Sequence, residues 1–551
     1  MKPDPGHVFV IRGDLRNLAC SAWMQTTDKR LRPGGRWEVD IPDAPTRLDP
    51  NDRAAFEAER VYAIPVWPRG DAREPVPFLT AVPFYGVRTA DEFRPRIRAF
   101  VEAAVPIARA RLTGGRPRPL LGIPPIGFGR GGAHLRKGDV IRMLLDEART
   151  LAAEFEVDIA IVLRDDAKAY ALAQHLRKTS GVDAWPELNA DELDHARRLG
   201  DLARMGRLVP FMGAGVSVSA GAPTWAELIE KLADRARLEA EVRTALLDKG
   251  RDVLDQATFV RQAIDEQSPN DPLAFARGIA AITDMPRYGL APALLASLDS
   301  EQAITLNYDR LFELAAGDGG MPRRTIPSTA PRDHTHDRWL LKLHGSVDDP
   351  GSIVLTRSDY LGFNTDRAAL SSIVKATLLT RHVLFVGFGM RDDHFHEIIH
   401  DVRRAMESSG VPLSGIGTVL TLQEDRLDRE LLRELQFVPF SPDGGEPDFA
   451  SAARRLEIFL DAVLAFASDA HPYLLDATYN DGLSDDERLL RDAILRMVSD
   501  LPERAKSPTS WAVVSAMLDD LGIPRDSPHV PERGAGDSPD TRRSTASRRN
   551  R

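Results

Sequence analysis

The sequence predicts an α/β protein with two doubly wound parallel-sheet domains, followed by a small helical module. Short apolar runs such as HVFVI (7–11) and VDIAIVL (157–163) alternate with helical stretches such as DVIRMLLDEARTLAAEF (139–155). Strand, helix and strand in close succession are typical of parallel βαβ units. The alternation resumes at LVPFM (208–212), and the stretch 225–300 is mainly helical by pattern, which indicates a second sheet with a helical insertion. The later predicted strands are ITL (304–306), LLKL (340–343), IVL (353–355), HVLFVG (382–387) and GTVLTL (417–422).

The domain boundaries follow from changes in composition along the chain. KTSGVDAWPELN (178–189) mixes Gly, Pro and Ser as linkers do, and Asn189 with Glu192 forms a candidate capping box for the next helix. SDDERLLRDAILRMV (484–498) is amphipathic, whereas the tail from Pro524 holds too few apolar residues to fold. The predicted divisions are a first domain (1–180), a linker and helix (181–206), a second domain (207–468), a helical module (469–523) and a disordered tail (524–551).

Composition excludes several classes of protein. The chain has 551 residues, and its 82 Asp and Glu exceed its 72 Lys and Arg, so it has no global electrostatic reason to bind nucleic acid. The only cysteine, Cys20, cannot form an intramolecular disulfide or a four-cysteine zinc site. The start MKPDPGHVFVIRGD does not resemble a secretory signal, and no apolar run approaches the roughly 18 residues that span a bilayer. We expect a cytoplasmic protein without a membrane partner.

A glycine-rich turn follows the predicted strand at 208–212. It consists of Gly213, Ala214 and Gly215, and Ser217 comes two residues later. Glycines at such a turn let the backbone approach a pyrophosphate closely, and amides at a helix start can donate to its oxygens. Taken alone, this segment does not distinguish a nucleotide site from an ordinary tight turn.

Three later strands also end in glycine or polar residues. The carboxyl ends of parallel strands meet in one crevice, so these groups are expected to share a site. Each has an ordinary alternative, since an Asn often forms turns and a His is often a satisfied core residue. The residues are Thr305, Asn307 and Asp309 after the first strand, His344 after the second, and Gly387 and Gly389 after the third.

The ordered series GAGVS, GAPTW, TLNYD, KLHGS and VGFGMRD resembles the sirtuin-like domain of bacterial antiphage NAD hydrolases, over about residues 200–465. The resemblance implies a Rossmann-like fold with NAD as the substrate and no metal. It also implies that Asn307 and His344 are the two residues essential for cleaving the nicotinamide–ribose bond. The residues implied to bind NAD are Gly213, Ala214, Gly215, Ser217, Thr305, Asp309, Gly387 and Gly389.

The chemistry of that reaction suits these residue types. Nicotinamide leaves as a neutral amine, so the site needs no general acid but must stabilise an oxocarbenium-like transition state and position a nucleophile. Asn307 can orient water and the carboxamide, and a neutral His344 can accept a proton from a ribose hydroxyl or from water. Protein-deacylating sirtuins carry a four-cysteine zinc module, which this chain lacks, so the resemblance favours NAD hydrolysis over deacylation.

The first domain contains two segments that together form a second candidate ligand site. They are HVFVIRGDLRNLACSAWMQTTD (7–28) and LLGIPPIGFGRGGAHLRKGDV (120–140). Their glycines are typical of an anion-binding loop, although a surface loop without a ligand is an alternative. The pair resembles macro domains, which implies an ADP-ribose-type ligand. QTTD (25–28) replaces the catalytic NAAN segment of that family, so removal of ADP-ribose from proteins is not expected. The implied ligand residues are Asp14 beside the adenine, and Gly127, Phe128, Gly129 and Gly131 in the phosphate loop.

HEIIH (396–400) places two histidines one helical turn apart, as in zinc proteases. Position 403 is Arg, so the third histidine of the extended motif is missing, and we interpret the segment as an exposed or structural helix face. His334 and His336 are interpreted as solvated residues of a loop.

Together these features predict an NAD hydrolase that yields nicotinamide and ADP-ribose and acts as an abortive-infection effector. Its first domain would bind a regulatory ADP-ribose-type ligand. We also expect a homo-oligomer and a phage-derived activator. The alternatives are a regulatory protein that binds NAD or ADP-ribose without turnover, and a sirtuin-type deacylase or ADP-ribosyltransferase.

Overall fold

The computed structural model describes residues 5–31, 40–41, 43–68, 74–83, 86–112, 115–128, 132–164, 166–179, 184–248, 250–328, 338–390, 392–408, 415–441, 448–507 and 509–523. The predicted loop histidines His334 and His336 and the tail 524–551 lie outside these ranges. No helix within the ranges combines the length and apolar character needed to cross a bilayer.

The first domain is built on a six-stranded sheet. Its strands are β1 (Val8–Arg12), β2 (Ala22–Thr27), β3 (Ala63–Pro65), β4 (Val76–Ala81), β5 (Leu120–Ile123) and β6 (Asp158–Leu163), in the order β1-β6-β5-β2-β4-β3. Neighbours are parallel except β3, which pairs antiparallel with β4 at the edge. Strands β1 and β6 are buried almost throughout, which explains their continuous apolar sequences. The helices are α1 (Pro50–Glu57), α2 (Arg94–Arg109), α3 (Lys137–Phe155) and α4 (Ala167–Thr179).

The second domain is built on a seven-stranded sheet whose neighbours are all parallel. Its strands are β7 (Leu208–Met212), β8 (Gln302–Thr305), β9 (Arg324–Ile326), β10 (Trp339–Lys342), β11 (His382–Val386), β12 (Gly417–Thr421) and β13 (Leu435–Pro439). Their order is β13-β12-β11-β7-β8-β10-β9, so the chain leaves β7 toward both edges of the sheet. Such a switch point opens a crevice outside the carboxyl ends of the strands.

Fourteen helices in the described residues accompany this sheet and continue past it. They are α5 (Ala190–Arg204), α6 (Trp225–Arg235), α7 (Ala240–Leu246), α8 (Val253–Gln267), α9 (Ala274–Thr283), α10 (Leu290–Ala296), α11 (Leu311–Asp318), α12 (Arg357–Asp366), α13 (Ala368–Thr380), α14 (Asp393–Ser408), α15 (Arg426–Leu431), α16 (Phe449–Ala467), α17 (Asp485–Asp500) and α18 (Trp511–Asp520).

The fold-class prediction is confirmed, with differences in detail. The stretch 225–300 is helical (α6 to α10), and Asn189 and Glu192 form the predicted capping box at the start of α5. The predicted strand at 353–355 is wrong. This run follows a short 3₁₀ turn and returns to the strand end, where the Val354 N–H donates to the carbonyl of His344. Val354 and Leu355 are buried and Ile353 is partly buried, but none of them is paired in the sheet.

One hydrophobic cluster spans the two domains. It contains Phe9 and Ile11 of β1, Leu294 of α10 and Ile458 of α16. The segment after α16 returns to the first domain, where Tyr479 is buried in the same apolar cluster as the helix α3. Apolar packing therefore continues across the predicted domain boundaries, and the divisions themselves stay a prediction.

A buried ionic network crosses the same junction. The Asp461 carboxylate of α16 accepts hydrogen bonds from Arg177, from His7 Nε2 at 3.1 Å and from Trp185 Nε1 at 2.9 Å. Burial alone would raise the pKa of Asp461, but the charges of Arg177 and His7 hold it far below its usual range. Helix α16 is thus bound to the first domain by charge as well as by apolar packing.

Candidate functional site

A cavity of about 430 Å³ opens at the carboxyl edge of the second sheet. Four strand ends contribute to it, those of β7, β8, β10 and β11, and Trp225 and Leu228 of the helical insertion form an apolar wall opposite. Most of the sequence-predicted NAD residues meet there, although they follow four different strands. They are Gly213, Ala214, Ser217, Asn307, Asp309, His344, Gly387 and Gly389.

The glycines bring two turns into direct contact. The Gly213 N–H donates to the carbonyl of Val386, and the Gly215 N–H donates to that of Gly387. A Cβ atom at Gly215 would lie 2.8 Å from the Cα of Gly387, and Gly387 itself has a φ of +63°. These positions therefore require glycine because two backbones touch. The amides of Gly213 and Gly215 are thus bound within the protein, and the role of these glycines in NAD binding stays a prediction.

Asn307 is held by both hydrogens of its side-chain amide. Its Nδ2 atom donates to the Gly213 carbonyl at 3.1 Å and to Ser217 Oγ at 3.0 Å. The Ser217 hydroxyl in turn donates to Asp309 Oδ2 at 2.7 Å. Because Nδ2 is fully used, the oxygen Oδ1 of Asn307 is the atom that remains to accept a hydrogen bond on the cavity side. Ser217 and Asp309 orient Asn307 through these bonds.

Thr305 supports the same turn from beneath. It is buried, its hydroxyl donates to the carbonyl of Met212 at 3.2 Å and it accepts from the N–H of Asn307 at 3.0 Å. Burial raises the pKa of Asp309, and the nearby Lys342 ammonium offsets part of this effect. Lys342 Nζ also donates to the carbonyl of Tyr308 at 3.1 Å, so the strand end is tied to β10.

His344 lies at the end of β10 and is 1% exposed. The turn after it needs glycine, because Gly345 has a φ of +94° and a Cβ there would lie 2.2 Å from the carbonyl oxygen of Ser352. Burial lowers the pKa of His344 to about 4; the Asp392 carboxylate opposes this effect, and the neighbouring His394 adds to it. His344 is therefore neutral near pH 7.

A chain of hydrogen bonds fixes which nitrogen of His344 carries the proton. His394 Nε2 lies 3.1 Å from the carbonyl oxygen of Tyr360, which can only accept, so we infer that this nitrogen is protonated. His394 Nδ1 is then an acceptor, and His344 Nε2, 3.4 Å away, is its donor. Nδ1 of His344 is consequently the basic nitrogen. The rings of Tyr360 and Phe363 stack on His394 and hold it in place.

Sequence reasoning missed His394 and Tyr360. The motif HEIIH is the more visible feature of that helix, but the structure places His396 and His400 on its exposed face, in agreement with the interpretation as an exposed or structural face. The available signal was the position of His394 at the very start of a helix that follows a Gly-Phe-Gly strand end. Polar side chains at such positions face the crevice of an open sheet.

The same group contains metal-ligand atoms. Those of His344, Asp392 and His394 lie within 4.8 Å of one another. Asp392 Oδ2 already accepts from the Tyr360 hydroxyl at 2.9 Å, and His394 uses both nitrogens. The geometry therefore suits a hydrogen-bond chain better than a metal centre.

A second cavity, of about 340 Å³, lies on the other side of the loop Gly387–Gly389. Thr421 at the end of β12 and Gln423 after it line this cavity, together with α16 and, unexpectedly, the segment 115–117 of the first domain. Both cavities share the glycine loop as a wall. Sequence patterns could not reveal the contribution of 115–117, because it depends on how the two domains pack.

The predicted ligand residues of the first domain have other partners in the structure. Asp14 is buried, and its carboxylate binds Arg16 Nη2 at 2.5 Å and Arg164 Nη1 at 3.1 Å. Gly127 has a φ of +82° and packs on Phe93, and the ring of Phe128 lies 5.3 Å from Lys137 Nζ. Gly129 and Gly131 lie outside the described residues. Neither of the two cavities is lined by Asp14, Gly127 or Phe128.

Part of this chain is similar to known proteins. Residues 301–438 match the family model of the SIR2-like domain. The NAD(+) hydrolase ThsA of Enterococcus faecium is 28% identical over 226 residues, which cover 39% of this chain and 44% of that protein. The ThsA protein of Bacillus cereus (strain MSX-D12) is 25% identical over 46% of this chain and 48% of its own length. Defense-associated sirtuin 2 of Bacillus subtilis is 25% identical over 40% of this chain and 22% of its own length.

These findings confirm the predicted sirtuin-like resemblance of the second domain. The chain spans less than half of the length of the relatives it matches, with 44% for the first of them. Among solved structures, the macrodomain of Mycobacterium tuberculosis DarG is similar, with 17% identity and a TM-score of 0.20, covering 28% of this chain and 97% of that one.

Proposed function

We propose that this chain is an NAD hydrolase of antiphage defence, which cleaves the nicotinamide–ribose bond and releases nicotinamide and ADP-ribose. The observation that carries the proposal is the pairing of Asn307 with a buried, neutral His344 in one cavity at the switch point of a parallel sheet. The similarity to proteins named NAD(+) hydrolase and defense-associated sirtuin supports the same reaction.

In this proposal Asn307 and His344 divide the work. Oδ1 of Asn307 accepts a hydrogen bond from the nicotinamide carboxamide or from the attacking water, and so holds the reacting groups in place. Nδ1 of His344 accepts a proton from a ribose hydroxyl or from that water as the oxocarbenium-like centre develops. A neutral base suits this site, because a cation would repel the developing positive charge.

The two cavities would hold the two halves of NAD. The apolar wall formed by Trp225 and Leu228 suits the nicotinamide ring, while the second cavity would take the adenosine. The pyrophosphate would then cross at Gly387–Gly389, which borders both cavities. We further propose that the first domain binds an ADP-ribose-type ligand and that a phage-derived activator acts on the protein. The proposal also includes a homo-oligomer and a cytoplasmic location.

The test is release of nicotinamide from NAD by the purified full-length chain, followed by chromatography with and without phage lysate or ADP-ribose. We expect release by the parent and a loss of about 100-fold or more in Asn307→Ala, since the variant can no longer orient the reacting groups. Asn51→Ala, at an exposed position, is the matched control.

If the parent stays silent under every condition, the hydrolase proposal fails, and bound NAD in the same sample would favour the regulatory alternative. Release that depends on an acylated peptide would favour deacylation. Full activity in Asn307→Ala would refute the assignment of that residue and leave the hydrolase proposal standing.

The pH dependence offers a separate prediction. Because the pKa of His344 is about 4 rather than 6.5, we expect nicotinamide release at saturating NAD to be nearly constant from about pH 6 to 8. The rate should decline only as the pH falls toward 4. An inflection near pH 6.5 in the kcat profile would contradict the neutral, buried base.

Folding must be checked at each pH. His382 is also buried, and this lowers its pKa to about 4. The unfolded chain therefore binds protons at these histidines that the folded chain does not bind, and the free energy of unfolding falls as the pH drops from 6.5 toward 4. Circular dichroism at each pH separates this loss from titration of the active site.

A further inference from the structure

A cluster of metal-ligand side chains lies far from the proposed catalytic site in sequence. It consists of His175 on α4, His471 in the segment after α16, and Glu487 in the first turn of α17. One ligand atom of each lies within 4.8 Å of the other two, and all three residues are half-buried. Together they join the first domain to the C-terminal helical segment.

The ligand atoms are close to the spacing that zinc requires. His175 Nε2 lies 3.2 Å from Glu487 Oε1. Two ligands on tetrahedral Zn²⁺ at about 2.0–2.1 Å from the metal are separated by about 3.3 Å. The ligand nitrogen of His471 lies within 4.8 Å of both of these atoms. Two imidazoles and one carboxylate form a ligand set that zinc accepts, with a fourth position left for water.

A second layer of contacts orients these ligands. The Tyr473 hydroxyl lies 2.8 Å from His471 Nδ1 and 3.5 Å from Glu487 Oε1. If His471 Nδ1–H donates to the hydroxyl, its Nε2 atom is left for a metal, and the hydroxyl can donate to Glu487. The other oxygen of Glu487 accepts from the Ser484 N–H at 2.8 Å in a capping box. This arrangement resembles the outer shell that supports metal-bound histidines in general.

We propose that His175, His471 and Glu487 form a zinc site that fastens the C-terminal segment, including α17, to the first domain. Tyr473 is the positioning residue of this site. The sequence led us to expect no metal, so this proposal departs from that expectation. It is independent of NAD hydrolysis.

The test uses the full-length chain, stripped with a chelator and titrated with Zn²⁺ and, for its absorption spectrum, Co²⁺. Because the exposed pair His396 and His400 can also bind zinc, the double variant His396→Ala/His400→Ala serves as the background. We expect this background to bind one equivalent of Zn²⁺, with a rise in Tm and a tetrahedral Co²⁺ spectrum.

In that background, His175→Ala should weaken zinc binding by more than about 100-fold and abolish the rise in Tm. Tyr473→Phe keeps the ring and removes only the hydroxyl, so it should weaken binding by about 10-fold. Glu487→Gln, with a side chain of the same size, replaces His175→Ala if that variant does not fold.

Unchanged zinc stoichiometry and affinity in His175→Ala and Glu487→Gln would overturn the proposal. So would loss of the bound equivalent in His344→Ala instead, since this would place the metal in the other histidine cluster. The proposal would also be overturned if the double variant His396→Ala/His400→Ala bound Zn²⁺ only with a dissociation constant weaker than micromolar. A built site with three protein ligands binds zinc more tightly than that.

Discussion

Replacement of His344 by alanine is expected to lower kcat for nicotinamide release by about 1,000-fold, within the range for loss of a general base. Its KM for NAD should change much less, because the imidazole acts on the transition state and contributes little to ground-state binding. Stopped assays with saturating NAD measure the effect. His394→Ala should show an intermediate loss, since it removes only the group that fixes the tautomer of His344.

His382→Ala is the matched control for this prediction. His382 is also buried with a pKa lowered to about 4, but it binds the Gly415 carbonyl and the Thr418 hydroxyl on the sheet and does not line the cavity. We expect it to lose stability and keep its kcat while folded. Equal losses of kcat in His344→Ala and His382→Ala would show that the effect of His344 comes from folding alone.

The parts of the site that could be predicted from the sequence are those encoded locally. Asn307 and His344 each follow an apolar run directly, so the strand and its polar end are visible in the same few residues. The order of the strands places these ends together, and a parallel sheet puts all of them at one edge. The wrong strand at 353–355 has the same origin, because a short apolar run shows burial but not pairing.

Other parts of the site depend on packing between elements that are distant in sequence, and these could not be predicted. His394 reaches His344 because α14 packs beside α12, and its partner Tyr360 comes from α12. The segment 115–117 reaches the second cavity only because α16 binds the first domain. The roles of Gly213 and Gly215 were likewise hidden, since their amide partners lie on β11 and on the loop that follows it.

The second large predicted effect is a loss of stability, and it concerns the buried ionic network between the two domains. Asp461→Ala is expected to lower the free energy of unfolding by about 3–5 kcal/mol, because it leaves the buried Arg177 without its carboxylate and His7 with only that of Glu187. Urea unfolding followed by circular dichroism measures the change. Asp194→Ala is the control: this carboxylate pairs with Arg197 on the surface, and its loss should cost at most about 1 kcal/mol.

The double variant Arg177→Met/Asp461→Leu tests whether charge is the cause. It removes the two main opposite charges together and keeps apolar volume, so it should recover much of the stability that Asp461→Ala loses. If the double variant is less stable than Asp461→Ala, loss of packing rather than an unpaired charge explains the effect.

The network also predicts how stability at the junction depends on pH. The pKa of Asp461 is lowered from 3.8, so its contribution is present above that pH and is lost as the pH falls toward its folded value. For His7, burial would lower the pKa, but the Glu187 and Asp461 carboxylates outweigh burial and raise it above 6.5. That contribution is complete below pH 6.5 and is lost as the pH rises through the folded pKa. The difference in unfolding free energy between the parent and Asp461→Ala should therefore be largest between these limits and shrink on both sides. A difference that keeps growing above pH 8 would contradict a protonated His7 in the network.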